Sequence, residues 1–253
     1  MEIKGNTILI TGGTSGIGRG LAESFHKLGN KVIIAGRRQA LIDELTASHP
    51  GMEGLRLDLQ DAKAISRFAE AVAEKYPDLN VLINNAGISK MENWKKGEVD
   101  IQVVNDIIQT NVSSVIQLTA ELLPLLKKQK NATLITTTSG LAFVPLAAAP
   151  TYSATKAFLH SWLQSLRSQL EGSVEILELA PPYVQTEIGG QAQKEDPRAM
   201  PLQEYVDEVI ELLKAKNTPN SEVLVERVKG FRQSIQTDEY ENVFNMINSM
   251  FTV

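Results

Sequence analysis

The chain has 253 residues, 43% of them hydrophobic and 22% charged, and its 30 acidic against 25 basic side chains leave a net charge of −5. That is an ordinary globular composition without the basic footprint of a nucleic-acid binder. Cysteine is absent, which excludes a disulfide framework and a thiolate metal site and fits a reducing compartment.

The first residues lack the apolar core and cleavage site of a signal peptide. No apolar run reaches the roughly 20 residues that cross a bilayer, so a cytoplasmic protein with no membrane span is expected. Thr7–Thr11 (TILIT) is a short β-prone run that stops at Gly12-Gly13-Thr14-Ser15-Gly16-Ile17-Gly18. A helical pattern follows from about Ile17 to Leu28, and Gly29 ends it. Strand, glycine turn and helix in that order form a phosphate site. The glycines let the backbone approach a pyrophosphate, and the helix N-terminus faces it with free N–H groups. The spacing is GxxxGxG rather than GxGxxG; its place at the first turn of the chain points to nucleotide binding.

Lys31–Ala35 reads as the second strand. Where an NAD enzyme usually offers an acid to the ribose 2′-hydroxyl, this chain has Gly36-Arg37-Arg38. Two guanidiniums suit a 2′-phosphate, so NADP is expected in preference to NAD, with NAD possible; the other reading of Arg38 is that it only opens the next helix. Gly54–Leu57 is a third strand. Asp58 after it is placed either to meet an adenine amino group or to cap the helical run from Ala62 to Tyr76. Leu79–Ile83 is a buried strand leading into Asn84-Asn85-Ala86-Gly87, small enough for a ribose to lie against the backbone, or simply a polar turn.

One long helix is expected from about Val99 to Lys128, with Asn111 amid Ile107, Ile108, Val112 and Val115. Such an amide is either a satisfied core group or the holder of a local bend and a water linking Lys156 to solvent. The most informative stretch is 131–156. A buried strand ends at Ser139, where parallel sheets hold ligands, and Tyr152 and Lys156 then fall four apart on one helix face. A free phenol ionises near pH 10 and is a poor base at neutrality; a neighbouring ammonium would lower that value. With the Ser139 hydroxyl beside the substrate oxygen, the three side chains suit proton transfer at a carbonyl or alcohol. Tyr and Lys at this spacing also occur by chance on exposed helices.

The helix continues to about Leu170, Val174–Leu179 is the sixth strand, and Pro181-Pro182-Tyr183-Val184-Gln185-Thr186 follows. The Thr186 hydroxyl either meets a nicotinamide carboxamide or caps a turn. Residues 187–200 read as a mobile polar flap, 202–215 as a helix and 222–228 as a strand. From Asp238 to Phe251, Tyr240, Val243, Phe244, Ile247 and Met250 recur at helical spacing, as core or subunit packing. Alternating strands and helices without a composition break predict an α/β chain, a Rossmann-type doubly wound parallel sheet of about seven strands. A single domain over 1–253 is expected, with 187–216 as a substrate loop and 236–253 as a helical tail. His26, His49 and His160 show no metal-ligand spacing, so no metal is expected. No G-x-S-x-G elbow is present, which weakens a hydrolase reading.

Taken together, TGGTSGIG (11–18), NNAG (84–87), Asn111, Ser139, YSATK (152–156) and PPYVQT (181–186) resemble the short-chain dehydrogenase/reductase family of the single-domain type, over about residues 5–230. SGLAFVPLAAAPTYSATKAFLHSW, the double proline and ERVKGFR resemble, more narrowly, its DltE-type oxidoreductases. The resemblance implies Tyr152 as catalytic acid/base and Lys156 as the cation that lowers its pKa and holds the nicotinamide ribose. Ser139 would orient the substrate oxygen, and Asn111 would support a proton-relay water. Gly12, Thr14, Ser15, Gly16, Ile17 and Gly18 would form the pyrophosphate turn. Arg37 and Arg38 would take the 2′-phosphate, and Asp58, Leu59, Asn85, Ala86 and Gly87 would lie along the adenosine half. Val184 and Thr186 would meet the carboxamide. The family usually has Pro-Gly where this chain has Pro181-Pro182, which stiffens that loop. A small, uncharged or largely apolar substrate is expected from Leu141, Phe143, Val144 and Leu146, and a homodimer or homotetramer is implied through the helices of Asn111 and Tyr152. The rival reading is a nucleotide-binding sensor or cell-envelope accessory protein with little turnover.

Overall fold

Short runs rich in aliphatic residues, clearest in β1, β2 and β4, form seven strands: β1 (Thr7–Thr11), β2 (Lys31–Gly36), β3 (Glu53–Arg56), β4 (Val81–Asn84), β5 (Thr133–Thr137), β6 (Glu175–Leu179) and β7 (Glu222–Val223). In the computed structural model, which describes residues 1–251, they make one sheet in the order β3-β2-β1-β4-β5-β6-β7. Every pairing is parallel. Parallel neighbours require crossovers. These contain α1 (Gly16–Lys27), α2 (Gln39–Ser48), α3 (Ala62–Lys75), α4 (Ile101–Ile108), α5 (Ser114–Leu126), α6 (Pro150–Gln169), α7 (Gln191–Glu195) and α8 (Leu202–Lys214). Two further helices, α9 (Glu226–Ser234) and α10 (Tyr240–Ser249), follow β7.

Successive strand side chains point to opposite faces, and both faces are covered. Ile8, Ile10, Val32 and Ile34 pack with Leu21 and Phe25 of α1 and Val206 and Val209 of α8. Leu9 and Ile33 pack on the other side with Ile65 and Phe68 of α3 and Leu118 and Leu122 of α5. This double burial explains why the strands read as unbroken apolar runs. β1 has β2 on one side and β4 on the other, so the order of connection reverses there, and the crevice above that reversal is where such sheets hold ligands.

Three elements differ from the sequence expectation, and part of a fourth lies outside the described residues. The long helix begins at Ile101, capped by Asp100, whose Oδ1 accepts from Gln102 N (2.9 Å) and Val103 N (3.4 Å). It is not uniform: a π-helical turn over Gln109–Ser113 separates α4 from α5. The strand expected at 222–228 stops after two residues. Its partner β6 ends at Leu179, paired with Val223, and the two prolines just beyond bring no N–H to a ladder. ERVKGFRQS forms α9 instead, with Glu226 favourably placed in its first turn. The helix after Asp58 is capped by Asp61, which accepts from Lys63 N (2.9 Å) and Ala64 N (3.1 Å). Asp61→Ala is therefore expected to cost about 1 kcal/mol, seen as a lower denaturation midpoint, while Asp58→Ala leaves that midpoint in place. Finally, of the tail expected at 236–253, the structure gives a helix over Tyr240–Ser249; positions 252 and 253 lie outside the described residues.

That last helix closes over the segments that follow β5 and β6. Ile247 is buried against Phe143, Val144 and Ala180, with Tyr240, Val243 and Phe244 packed around them. Asn248 fastens the contact: its Oδ1 accepts from Ala147 N (2.6 Å) and its Nδ2 donates to Pro145 O (3.2 Å). Among the described residues, no helix is long and apolar enough to cross a membrane.

Candidate active site

β5 delivers Ser139 to the C-terminal edge of the sheet. The ladder carries on just past the strand: Thr138 N donates to Leu179 O and Gly140 N to Pro181 O, each at 2.8 Å. Ser139 itself is extended, and its Oγ accepts from Leu141 N (3.1 Å) at the start of a short 3-10 turn. α6 then opens with Pro150 at its first position, where a missing N–H costs nothing. Tyr152 and Lys156 stand one turn apart on its inner face, 9% and 2% exposed. Lys156 Nζ donates to Thr137 O (2.8 Å) and lies 5.6 Å from the centre of the Tyr152 ring.

Burial governs the ionisation of both groups. It pushes the Tyr152 phenol up to about 12, opposed by a hydrogen bond with Ser139. It draws the Lys156 ammonium down to about 8. The depression of the phenol expected from Lys156 is not among the causes of this shift; its Nζ is aimed at the Thr137 carbonyl. Near neutrality the phenol keeps its proton and can give it.

Asn111 sits in the π-helical turn, whose extra residue re-aims the backbone. Its Oδ1 accepts from Ile88 N (2.9 Å); its Nδ2 donates to Ile88 O (2.9 Å) and Thr155 Oγ1 (3.1 Å). The amide is thus hydrogen-bonded as a core group would be, and it stands at a local irregularity of the helix. A Cβ built on Gly87 would lie 3.4 Å from Asn111 Oδ1 and 3.6 Å from Lys156 Nζ, so the Asn84–Gly87 turn, Asn111 and Lys156 converge.

The glycine turn lies next to this cluster. Gly12 and Gly16 have φ of +66° and +51°, the left-handed region that favours glycine. A Cβ on Gly12 would come within 2.9 Å of Ala86 Cα. Thr11 Oγ1 accepts from Asn85 N (3.0 Å) and Ala86 N (3.1 Å), tying β1 to the Asn84–Gly87 turn. Thr14 is buried beneath Gly36, Ser15 precedes α1 in extended conformation, and Ile17 packs on the core. Arg37 and Arg38 are exposed at the end of β2. Arg38 does open α2, but its Nη2 also reaches back to Ser15 Oγ (3.0 Å). Asp58 Oδ1 accepts from Gln60 N (3.0 Å), and Leu59 is buried against α3 and β2.

On the far side of the crevice, Thr186 faces Gly16, whose Cβ would meet Thr186 Cγ2 at 3.4 Å. Gln193 Nε2 donates to Val184 O (2.8 Å) and Thr186 Oγ1 (3.3 Å), and Val184 bridges in parallel to Met200. The segment 187–200 is thus tied at both ends and carries α7. The Glu187 carboxyl is held below its ordinary range chiefly by its hydrogen bond with Lys194, and Arg38 adds a smaller attraction, which places this segment near the arginine side of the crevice. Of the four apolar residues expected to line a substrate, Phe143 and Val144 are buried in the third core, while Leu141 and Leu146 remain half-exposed.

Sequence reasoning missed Glu92, in a loop that looked uninformative. It is 6% exposed. Its Oε1 accepts from Thr151 N and its Oε2 from Thr151 Oγ1 and Trp94 Nε1, each at 3.0 Å. A carboxylate there satisfies one of the free N–H groups at the start of α6, that of Thr151, one residue before Tyr152. No local signal could reveal it, because Glu92 and Thr151 are 59 positions apart. A cleft of about 310 Å³ lined by Glu92, Trp94, Ala147, Asn248 and Phe251 opens beside this contact.

Residues 6–197 match the family described as short chain dehydrogenase. The chain is 40% identical to the uncharacterized oxidoreductase DltE of Bacillus subtilis, over 98% of this chain and 99% of that one. It is 34% identical to a serine 3-dehydrogenase of Agrobacterium fabrum, over 72% and 73% of the two chains. Among solved structures, a short chain dehydrogenase from Burkholderia cenocepacia in complex with NADP superposes with a TM-score of 0.82 at 22% identity, covering 98% of this chain and 99% of the other.

Proposed function

This chain belongs to the short-chain dehydrogenase family, and we propose that it interconverts a carbonyl and an alcohol with NADP(H), Tyr152 handling the proton. The observation that carries this reading is the meeting of Tyr152, Ser139 and Lys156 at the sheet edge beside a cradle that only glycine leaves open. The residues fit a dinucleotide. Gly12, Thr14, Ser15, Gly16, Ile17 and Gly18 with the start of α1 would hold its pyrophosphate, and Asp58, Leu59, Asn85, Ala86 and Gly87 its adenosine half. Arg37 and Arg38 would take the 2′-phosphate, Lys156 the nicotinamide ribose, and Val184 and Thr186 the carboxamide. When bound, the nicotinamide supplies or accepts the hydride.

The protein's own part is orientation and proton transfer. Ser139 holds the substrate oxygen, and Tyr152 gives that oxygen a proton during reduction or removes it during oxidation. Lys156 keeps positive charge behind the phenol, and Asn111 supports the relay beyond it. A pure nucleotide sensor has no use for Ser139 joined to Tyr152. The dehydrogenase named among the relatives and the NADP named with the structural neighbour support the alcohol chemistry and the cofactor. Residues 187–216 would form the substrate loop, with a small uncharged substrate meeting Leu141 and Leu146. Ile108 and Phe158, exposed on α4 and α6, support a homodimer or homotetramer through this helical face, and the cysteine-free sequence suits a cytoplasmic setting.

Screening NADPH oxidation against a panel of aldehydes and ketones tests the reading; absence of turnover with every carbonyl and every alcohol counts against it. Cofactor choice has its own test. Charge-assisted contacts are worth about 1.5–3 kcal/mol each, or roughly ten- to a hundredfold in affinity. Arg37→Ala with Arg38→Ala should therefore weaken NADPH by at least about tenfold in a calorimetric titration and leave NADH unchanged. Equal loss of both would remove the arginines from the 2′-phosphate role.

A further inference from the structure

Ser139 and Tyr152 lie on different elements, and one buried carboxylate joins those elements. Glu178 on β6 is 0% exposed. A carboxylate out of water persists only when it is paired and hydrogen-bonded. Its partners come from the two elements that carry the proposed chemistry. From the end of β5, Thr138 Oγ1 donates to Oε1 at 2.7 Å; the next residue is Ser139. From α6, His160 Nδ1 lies 2.8 Å from Oε2 and Arg167 Nη2 3.5 Å from the same oxygen. His160 stands one turn beyond Lys156 and two beyond Tyr152, on the same helix face. Gln164 Nε2 is 2.8 Å from His160 Nε2. An amide nitrogen can only donate, so the tautomer with its proton on Nδ1, facing Glu178, satisfies both contacts.

A metal centre is the competing explanation, since donor atoms of His160, Glu178 and Glu222 lie within 4.8 Å of one another. Both carboxylates are already paired. Arg232 Nε and Nη2 donate to Glu222 at 2.8 and 3.2 Å, and Arg167 faces Glu178. A divalent cation would have to displace or adjoin two guanidiniums. Strand alternation puts Glu178 on the face of Ile176, where an aliphatic residue would fill the space without any cost of burying charge. What the carboxylate adds is direction: it holds the hydroxyl of Thr138 and the ring of His160 at fixed distances from one point.

We propose that Glu178 is a positioning residue that, through Thr138 and His160, sets the separation of the Ser139 and Tyr152 hydroxyls. The proposal rests on the oxidoreductase reading above. The most specific test removes one hydroxyl of nearly unchanged shape. Thr138→Val is assayed with NADPH and para-nitrobenzaldehyde beside Thr138→Ser, and a crystal structure of the Thr138→Val protein is determined. The expected result is a kcat lower by about ten- to a hundredfold, as a small misplacement costs, with the KM for NADPH unchanged and kcat restored by Thr138→Ser. In the alcohol-oxidising direction the rise of kcat with pH should shift to higher pH, because the Ser139 side chain that lowers the phenol's pKa is moved away from it. Wild-type kcat in Thr138→Val overturns the proposal, and so does a loss of kcat that tracks loss of cofactor binding and of melting temperature. If the wild-type protein reduces no carbonyl and oxidises no alcohol, the oxidoreductase reading fails on its own. The crystal structure still decides the positioning role, since an unchanged Ser139 Oγ to Tyr152 Oη separation excludes it.

Discussion

Tyr152→Phe should lower turnover by about 10²–10⁴-fold, the worth of a positioned acid or base, with NADPH affinity close to that of the unaltered protein. The ring remains, and so does its packing against Lys156. Only the hydroxyl that meets Ser139 is lost. The two directions of reaction should also differ in pH dependence. With the phenol pushed up to about 12 by burial, the protonated form needed for reduction is fully populated through neutral and mildly alkaline solution. Oxidation needs the deprotonated form, whose fraction rises about tenfold per pH unit below the pKa. Oxidation should therefore climb with pH while reduction does not, and Tyr152→Phe should remove the climb. A variant with wild-type turnover would end the assignment of Tyr152.

Gly18→Ala is expected to do the opposite, sparing the phenol and disabling the cofactor side. The added Cβ would overlap the Gly12 carbonyl oxygen and Asn85 Nδ2 and lie 2.9 Å from the Gly12 carbonyl carbon. The Asn85 amide can swing aside, but the other two atoms are backbone and cannot. Overpacking of this kind costs about 1–3 kcal/mol, and the strain falls on the turn proposed to hold the pyrophosphate. If the turn yields, NADPH affinity should drop by about ten- to a hundredfold, read by calorimetric titration, with a lower melting temperature. Unchanged affinity would mean that the turn does not hold the cofactor.

Much of this architecture could be read locally. The glycine turn follows a strand and opens a helix, and both faces of β1 are buried, so its sequence shows an unbroken apolar run. The grouping of Ser139, Tyr152 and Lys156 needed only a strand end and a helical turn. What escaped depends on distant partners. The π-helical turn at Asn111 lies in a sequence whose period looks uniformly α-helical. β7 is short because of where β6 ends, not because of its own residues. Asp58 and Asp61 are equally good caps as residue types, and only the path of the chain selects Asp61. Glu175 and Glu178 occupy the same strand, yet one is exposed and the other has no exposure at all; nothing in VEILEL tells them apart. The partners of Glu178 come from the residue just past β5 and from α6, so its surroundings become visible only when both are in place.

The reversal of strand order beside β1 also has a kinetic side. Pairing Ile8 with Val81 closes a loop that contains α1, β2, α2, β3 and α3, and such non-local parallel pairings are slow to form because chain entropy is lost before contacts repay it. The crevice above β1 and β4 exists only after that closure. A dinucleotide that binds there recognises the finished sheet and no earlier species, so it draws the chain toward the native state by mass action without lowering the barrier that precedes the closure.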